Sequence, residues 1–281
     1  MKFIKMQALG NDFIIINGFI ETISSPEKLA VFILDRKKGA GADGLIILLK
    51  SDNADAKMRV FNPDGSEAEA CGNGVRCAVL YLSKELGANK KNYLIETPGG
   101  TVRAKLFTDK RGVVKIEAII PVATTEPKKA GLNSSIEILG KEKIIAGEKV
   151  KLSCVGTGNP HAVIEGYDLN GDKCEKIYNF INECGLFEKG ANVEFIKYEN
   201  GVLNMRVFER GAGETLACGT GACAAVYSLY KRGIIKENKS VAVNMKGGSL
   251  KVSIVKGLPR LTGSAEFCYK GEIYVSDRRN R

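Results

Sequence analysis

The segment Cys71-Gly72-Asn73-Gly74 returns as Cys218-Gly219-Thr220-Gly221, 147 residues further on, and each copy has a Glu four residues before the cysteine and an apolar run after the glycines. The flanking chain repeats with it. Gly158-Asn159-Pro160-His161 follows Gly10-Asn11-Asp12-Phe13 by 148 residues, and Glu175 to Ile181 follows Glu27 to Ile33 by the same 148. Gly190-Ala191-Asn192 follows Gly41-Ala42-Asp43 by 149, and Phe208-Glu209 follows Phe61-Asn62 by 147. Matches in one order at a nearly constant offset define a duplication whose period lies far beyond that of solenoid repeats. A chain of 281 residues accommodates two domains of ordinary size. The expected fold class is therefore α/β (α+β), with two homologous domains related by a pseudo-two-fold axis, each a curved mixed sheet around one long helix. The boundaries fall at residues 1–118 for the first domain and 119–264 for the second, with residues 265–281 returning to the first.

Local patterns support this. Lys2 to Gln7 and Asp12 to Asn17 read as two strands around the turn Ala8-Leu9-Gly10-Asn11. Ser25-Pro26 opens a helix reaching Leu34, with Ser25 as its cap. Leu45 to Leu49 and Lys57 to Phe61 are strand-like, the second ending in the turn Asn62-Pro63-Asp64-Gly65. Asn73 to Leu86 has helical apolar spacing and stops at Gly87. Strand-like segments run from Tyr93 to Val122, and Ser264 to Val275 reads as a last strand.

Each repeated cysteine sits where a glycine-rich turn gives way to a helix. The free N–H groups and positive dipole end there favour anions and lower a thiol's pKa. Two like domains facing each other would bring Cys71 and Cys218 to one cleft from opposite sides. Inverting a stereogenic carbon needs just such a pair, a base on one face and an acid on the other. The backbone N–H groups of Gly72, Asn73, Gly219 and Thr220 are placed to hold a carboxylate as charge develops beside it.

Other classes fit less well. Eight cysteines with no C-x-x-C and a single histidine argue against a zinc site, and no metal or cofactor is expected. Without an export signal the thiols are expected to stay reduced and the protein to be cytoplasmic. Cys77 and Cys223 fall on packed helix faces, and Cys154, Cys174, Cys184 and Cys268 read as small buried hydrophobes. The net charge of +10 is spread along the chain apart from the tail Asp277-Arg278-Arg279-Asn280-Arg281, so no nucleic-acid partner is expected. No run of 18 apolar residues points to a membrane. Glu67 and Glu214 read as structural, capping their loops.

The segments Gly10-Asn11-Asp12-Phe13, Asp64 to Cys77, Gly158-Asn159-Pro160-His161 and Glu209 to Gly221 resemble the signatures of diaminopimelate epimerase, with like spacing from Gly10 to Gly221. The resemblance implies a cofactor-independent isomerase interconverting LL- and meso-2,6-diaminopimelate, in lysine and peptidoglycan precursor synthesis. It also implies a pair of α/β domains, each a sheet wrapped around a central helix, commonly in a homodimer. On this resemblance Cys71 and Cys218 are the acid/base thiols, with His161 and Glu209 tuning them. Substrate contacts fall on Asn11, Asn62, Gly72, Asn73, Asn159, Asn192, Glu209, Arg210, Gly219 and Thr220. Arg210 suits a clamp on the distal carboxylate, because a planar guanidinium binds carboxylate at two points. Gly44 stands where many members carry Gln. A proline or hydroxyproline type racemase shares the two-thiol chemistry and remains an alternative, as do a thiol redox protein and a basic binding module without catalysis.

Overall fold

The computed structural model describes residues 1–68 and 71–274. Glu69-Ala70 of the first motif, Val275 of the last expected strand and the basic tail lie outside the described residues. The chain divides into two units, residues 1–118 with 263–281, and residues 119–262.

In the first unit, β1 (Lys2–Ala8) and β2 (Asn11–Asn17) form a hairpin that turns through Leu9 and Gly10, both in the left-handed region. Helix α1 (Pro26–Ile33) carries the chain to β3 (Gly44–Leu49), which lies parallel to β2. β4 (Ala56–Phe61) runs back antiparallel to β3, and the two-residue β5 (Glu67–Ala68) folds against it. Helix α2 (Gly72–Lys84) follows, then β6 (Asn92–Thr97), β7 (Gly100–Thr108) and β8 (Val114–Ile119). The apolar runs of β2 and β3 have a simple cause, since both faces of these strands are covered. Phe13, Ile15, Ile46 and Leu48 belong to the core around α2, whereas Ile14, Ile16, Leu45 and Ile47 pack with Leu29, Ala30 and Ile33 of α1. Every residue of α2 from Gly72 to Leu82 is buried, so it is the central helix of this unit.

The second unit repeats this order. β9 (Lys141–Ile145) is an added strand on β10 (Glu148–Gly156), which pairs antiparallel with β11 (Pro160–Glu165). Helix α3 (Cys174–Glu183) leads to β12 (Asn192–Glu199), parallel to β11. β13 (Val202–Glu209), β14 (Gly213–Thr215), the wholly buried stretch Gly219 to Leu229 of α4 (Gly219–Lys231), β15 (Val241–Met245), β16 (Gly248–Val255) and β17 (Leu258–Gly263) complete it. The pairings match strand for strand: β4 and β13 each carry a short antiparallel strand and a later parallel one, β6 or β15. β18 (Glu266–Glu272) pairs antiparallel with β1 in the first unit.

One structural device is duplicated to the atom. Arg59 grips Glu67 through two N–H···O bonds of 2.8 Å, and its guanidinium stacks on Phe61. Arg206 grips Glu214 at 2.8 and 3.0 Å and stacks on Phe208. Both glutamates are structural, but through these pairs across a tight hairpin, where a fixed two-point geometry strengthens the contact.

Three local expectations need correction. Ser25 precedes α1 but makes no side-chain cap bond, and the helix start rests on Pro26, whose fixed φ suits a first turn. Cys184 and Cys268 are exposed, because α3 is a surface helix ending at Cys184 and β18 shows most of its residues to solvent. The strand-like region from Tyr93 ends at Ile119, three residues short of Val122.

Candidate active site

Cys71 is the N-cap of α2, and its Sγ accepts the Gly74 N–H at 3.2 Å. Cys218 is the N-cap of α4, and its Sγ accepts the Gly221 N–H at 3.4 Å. Serine, threonine, aspartate or asparagine usually takes this position. Sulfur is a weak acceptor as a thiol and a much better one as a thiolate, so the cap strengthens when the proton leaves. Gly74 leaves the sulfur room here: a Cβ would stand 3.1 Å from Cys71 Sγ.

Around Cys71 the expected residues form a chain of amides. The buried Asn73 donates to Asn11 Oδ1 at 3.2 Å, and Asn11 Nδ2 donates to Asp43 at 3.2 Å. Behind Asn73 lies Arg76, fully buried, donating to Asn73 Oδ1 at 2.9 Å and to the Ser264 carbonyl at 3.1 Å. That cation fixes which way the Asn73 amide faces. Gly72 is buried as the first residue of α2. Asn62 is exposed, and its amide bonds Ser66 Oγ at 3.0 Å within its own turn. In this conformation it does what a turn asparagine does.

Around Cys218 the grouping is denser. Asn192 Nδ2 lies 3.7 Å and Thr220 Oγ1 3.4 Å from the sulfur. Asn192 Oδ1 also accepts the Arg210 backbone N–H at 2.9 Å, which ties the glycine-rich loop after β13 to the sheet. Glu209 is half-buried and accepts the Thr215 hydroxyl at 2.6 Å. Burial raises its carboxyl pKa, against hydrogen bonds from Thr215 and Cys218 that lower it. Gly219 opens α4, while the Arg210 guanidinium is exposed and donates to the Lys189 carbonyl at 2.9 Å. His161 is fully buried on β11, with Nε2 2.9 Å from Asn159 Oδ1 and Nδ1 2.7 Å from Glu194 Oε1.

The expectation that a helix start lowers the thiol pKa fails at Cys218. Burial pushes this thiol well above its ordinary value, and the charges of Glu209 and Glu194 push the same way. The Thr220 and Gly221 hydrogen bonds oppose them and lose. In this conformation Cys218 therefore holds its proton. Cys77 and Cys154 are also driven up by burial, Cys154 to about 12, which fits inert packing.

Sequence reasoning missed Glu194 and Arg76. Each left a signal: a lone charge inside an apolar stretch, Val193-Glu194-Phe195-Ile196 in one case and Val75-Arg76-Cys77-Ala78 in the other. Among the described residues no group of three or more His, Cys, Asp or Glu side chains could hold a metal ion. No helix among them is long and apolar enough to cross a membrane.

The fold is one that solved racemases share. The chain superposes on a structure described as a probable proline racemase from Agrobacterium radiobacter with a TM-score of 0.76 at 16% identity, covering 99% of this chain and 95% of that one. A Bacillus anthracis phenazine biosynthesis protein of the PhzF family follows at 0.71 and 18%, covering 98% and 99%. At such identities the likeness speaks for the fold alone. The sequence is more specific: the profile of the diaminopimelate epimerase family matches residues 3–119 and 153–267. The diaminopimelate epimerase of Acetivibrio thermocellus is 38% identical, across 99% of this chain and 100% of its own. The chain belongs to the diaminopimelate epimerase family.

Proposed function

We propose that this chain interconverts LL- and meso-2,6-diaminopimelate by moving a proton across the α-carbon between two thiols, without a cofactor. The observation that carries the reading is the duplicated N-cap: two units of one topology each set a cysteine at the start of a buried central helix, with a backbone N–H on its sulfur. Family membership supplies the substrate and the setting, cytoplasmic lysine biosynthesis, and a homodimer is proposed on the same ground.

The step is a two-base transfer. One sulfur, as thiolate, takes the Cα proton, leaving an electron pair delocalised into the α-carboxylate. The other, as thiol, returns a proton to the opposite face. In the LL-to-meso direction Cys71 is proposed as donor and Cys218 as acceptor. Cys218 must first lose its proton, and Glu209, its carboxyl raised by burial and hydrogen-bonded to that thiol, is suited to receive it. His161 completes the acid/base set. The N–H groups of Gly72, Asn73, Gly219 and Thr220 hold the substrate α-carboxylate as charge builds on it. Asn11, Asn62, Asn159, Asn192, Glu209 and Arg210 read the distal amino acid end, where the exposed guanidinium is free to swing onto a carboxylate.

Incubating the reduced protein with LL-diaminopimelate, and separately with L-proline, tests the assignment. Conversion of the first to the meso isomer with no racemisation of the second is expected. Turnover of proline alone would overturn the substrate assignment.

A further inference from the structure

The geometry points to Glu194 as a positioning residue that holds the Nδ1 proton of His161 and so keeps Nε2–H as a hydrogen-bond donor to Asn159. This deepens the proposed function and rests on it for His161 having an acid/base role.

Counting protons gives the first argument. His161 stands between Glu194 Oε1 at 2.7 Å and Asn159 Oδ1 at 2.9 Å. An amide oxygen only accepts, so Nε2 must carry a hydrogen. A neutral imidazole with Nε2 protonated has a bare Nδ1, which needs a proton from outside. Two forms meet that need: an imidazolium whose Nδ1–H donates to the Glu194 carboxylate, or a neutral ring whose bare Nδ1 accepts from a Glu194 carboxylic acid. Both place one shared proton on the line between Oε1 and Nδ1. That carboxyl is the hydrogen-bond partner that fixes the ring on its Nδ1 side.

The second argument comes from the duplication. In the parallel pair β2–β3, Phe13 lies opposite Gly44 and Ile15 opposite Ile46. In β11–β12, His161 lies opposite Asn192 and Val163 opposite Glu194. Phe13 is thus the counterpart of His161 and Ile46 of Glu194. The helix glycines agree, because a Cβ on Gly74 would meet Ile46 at 3.2 Å and one on Gly221 would meet Glu194 Oε1 at 2.4 Å. The first unit fills both places with buried apolar side chains. The fold alone does not call for a charged pair here.

The pair is also imperfectly satisfied. Glu194 is fully buried, yet its Oε2 has no hydrogen-bond partner. A buried polar atom left without a partner costs stability. Glu209 at the end of β13 and Cys218 at the cap of α4 also face this cluster; from β10 the register partner of His161 is the apolar Val155.

The chain has one histidine, so nitrogen and proton NMR of the imidazole reads this site without ambiguity. In the wild type at neutral pH, a downfield Nδ1 proton resonance and a protonated Nε2 are expected. Glu194→Gln keeps the shape, and it should lose the downfield resonance. With diaminopimelate, the variant should lose about tenfold or more in kcat, with KM little changed and a narrower pH profile. A wild-type imidazole with bare Nε2 at neutral pH would overturn the assignment, even if the variant failed to fold. So would a Glu194→Gln spectrum indistinguishable from wild type. The NMR readout needs no substrate, so it stands apart from any failure of the epimerase reading.

Discussion

The polar pair His161 and Glu194 can be replaced by the residues the same chain uses at the equivalent places of its first unit, giving His161→Phe with Glu194→Ile. Their counterparts Phe13 and Ile46 are 2% and 0% exposed, so the substitution is one this fold already accommodates. His161→Phe alone strips the carboxyl of its partner in a site where its second oxygen is already unpaired. Breaking a buried pair in this way costs about 3–5 kcal/mol. Exchanging both members for apolar side chains removes the buried charge, a change that ranges from neutral to about 1–4 kcal/mol stabilising. The larger ring works against it, with overpacking worth about 1–3 kcal/mol. The double variant should therefore lie within about 2 kcal/mol of the wild type and be clearly more stable than His161→Phe. Urea unfolding at constant m-value measures the order directly. Both variants should be inactive. If the double variant unfolds more easily than His161→Phe, with the two costs simply adding, the residues are not a coupled pair and the correspondence with Phe13 and Ile46 is wrong.

Cys71→Ala and Cys218→Ala should each lower epimerisation by about 10²-fold or more while costing only about 1 kcal/mol of stability, the worth of a helix cap; activity within tenfold of wild type in either would defeat the two-thiol scheme. Arg210→Lys should raise KM roughly tenfold through loss of a two-point, charge-assisted contact, with kcat nearly unchanged, as initial-rate kinetics on diaminopimelate will read. Stability should fall on acidification. Burial raises Asp12, but Arg36 and Lys5 outweigh it and hold its carboxyl at about 2, and Arg206 and Lys246 hold Glu214 at about 2. Both pKa values are lowered by folding, so their contribution is present above the ordinary carboxylate range and is lost as pH falls towards about 2. Thermal unfolding followed between about pH 5 and pH 2 checks this.

Much of this was legible in the chain because the duplication left the same residues at the same spacing. Gly-x-Gly after each cysteine fixed the helix starts, and the apolar runs at Phe13 to Ile16 and Leu45 to Leu49 marked strands covered on both faces. Register was not legible. The motifs align Asn192 with Asp43, whereas strand pairing aligns it with Gly44. That register also matches Glu194 with Ile46, a correspondence that none of the repeated motifs covers. The environment of Cys218 was hidden for a related reason. A helix start predicts an acidic thiol, but burial and the charges of Glu209 and Glu194 dominate, and Glu194 is brought there by the more distant strand β12. Glu67 and Glu214 read as loop caps because their arginine partners, eight residues earlier, lie across a hairpin that the sequence does not announce.

The most direct test is the early time course of LL-diaminopimelate in deuterium oxide under reducing conditions. Separate donors and acceptors on the two faces predict deuterium at Cα in newly formed meso product, with the recovered LL substrate still unlabelled. Equal early labelling of both isomers would mean that one group serves both faces, and the pairing of Cys71 with Cys218 would have to be abandoned.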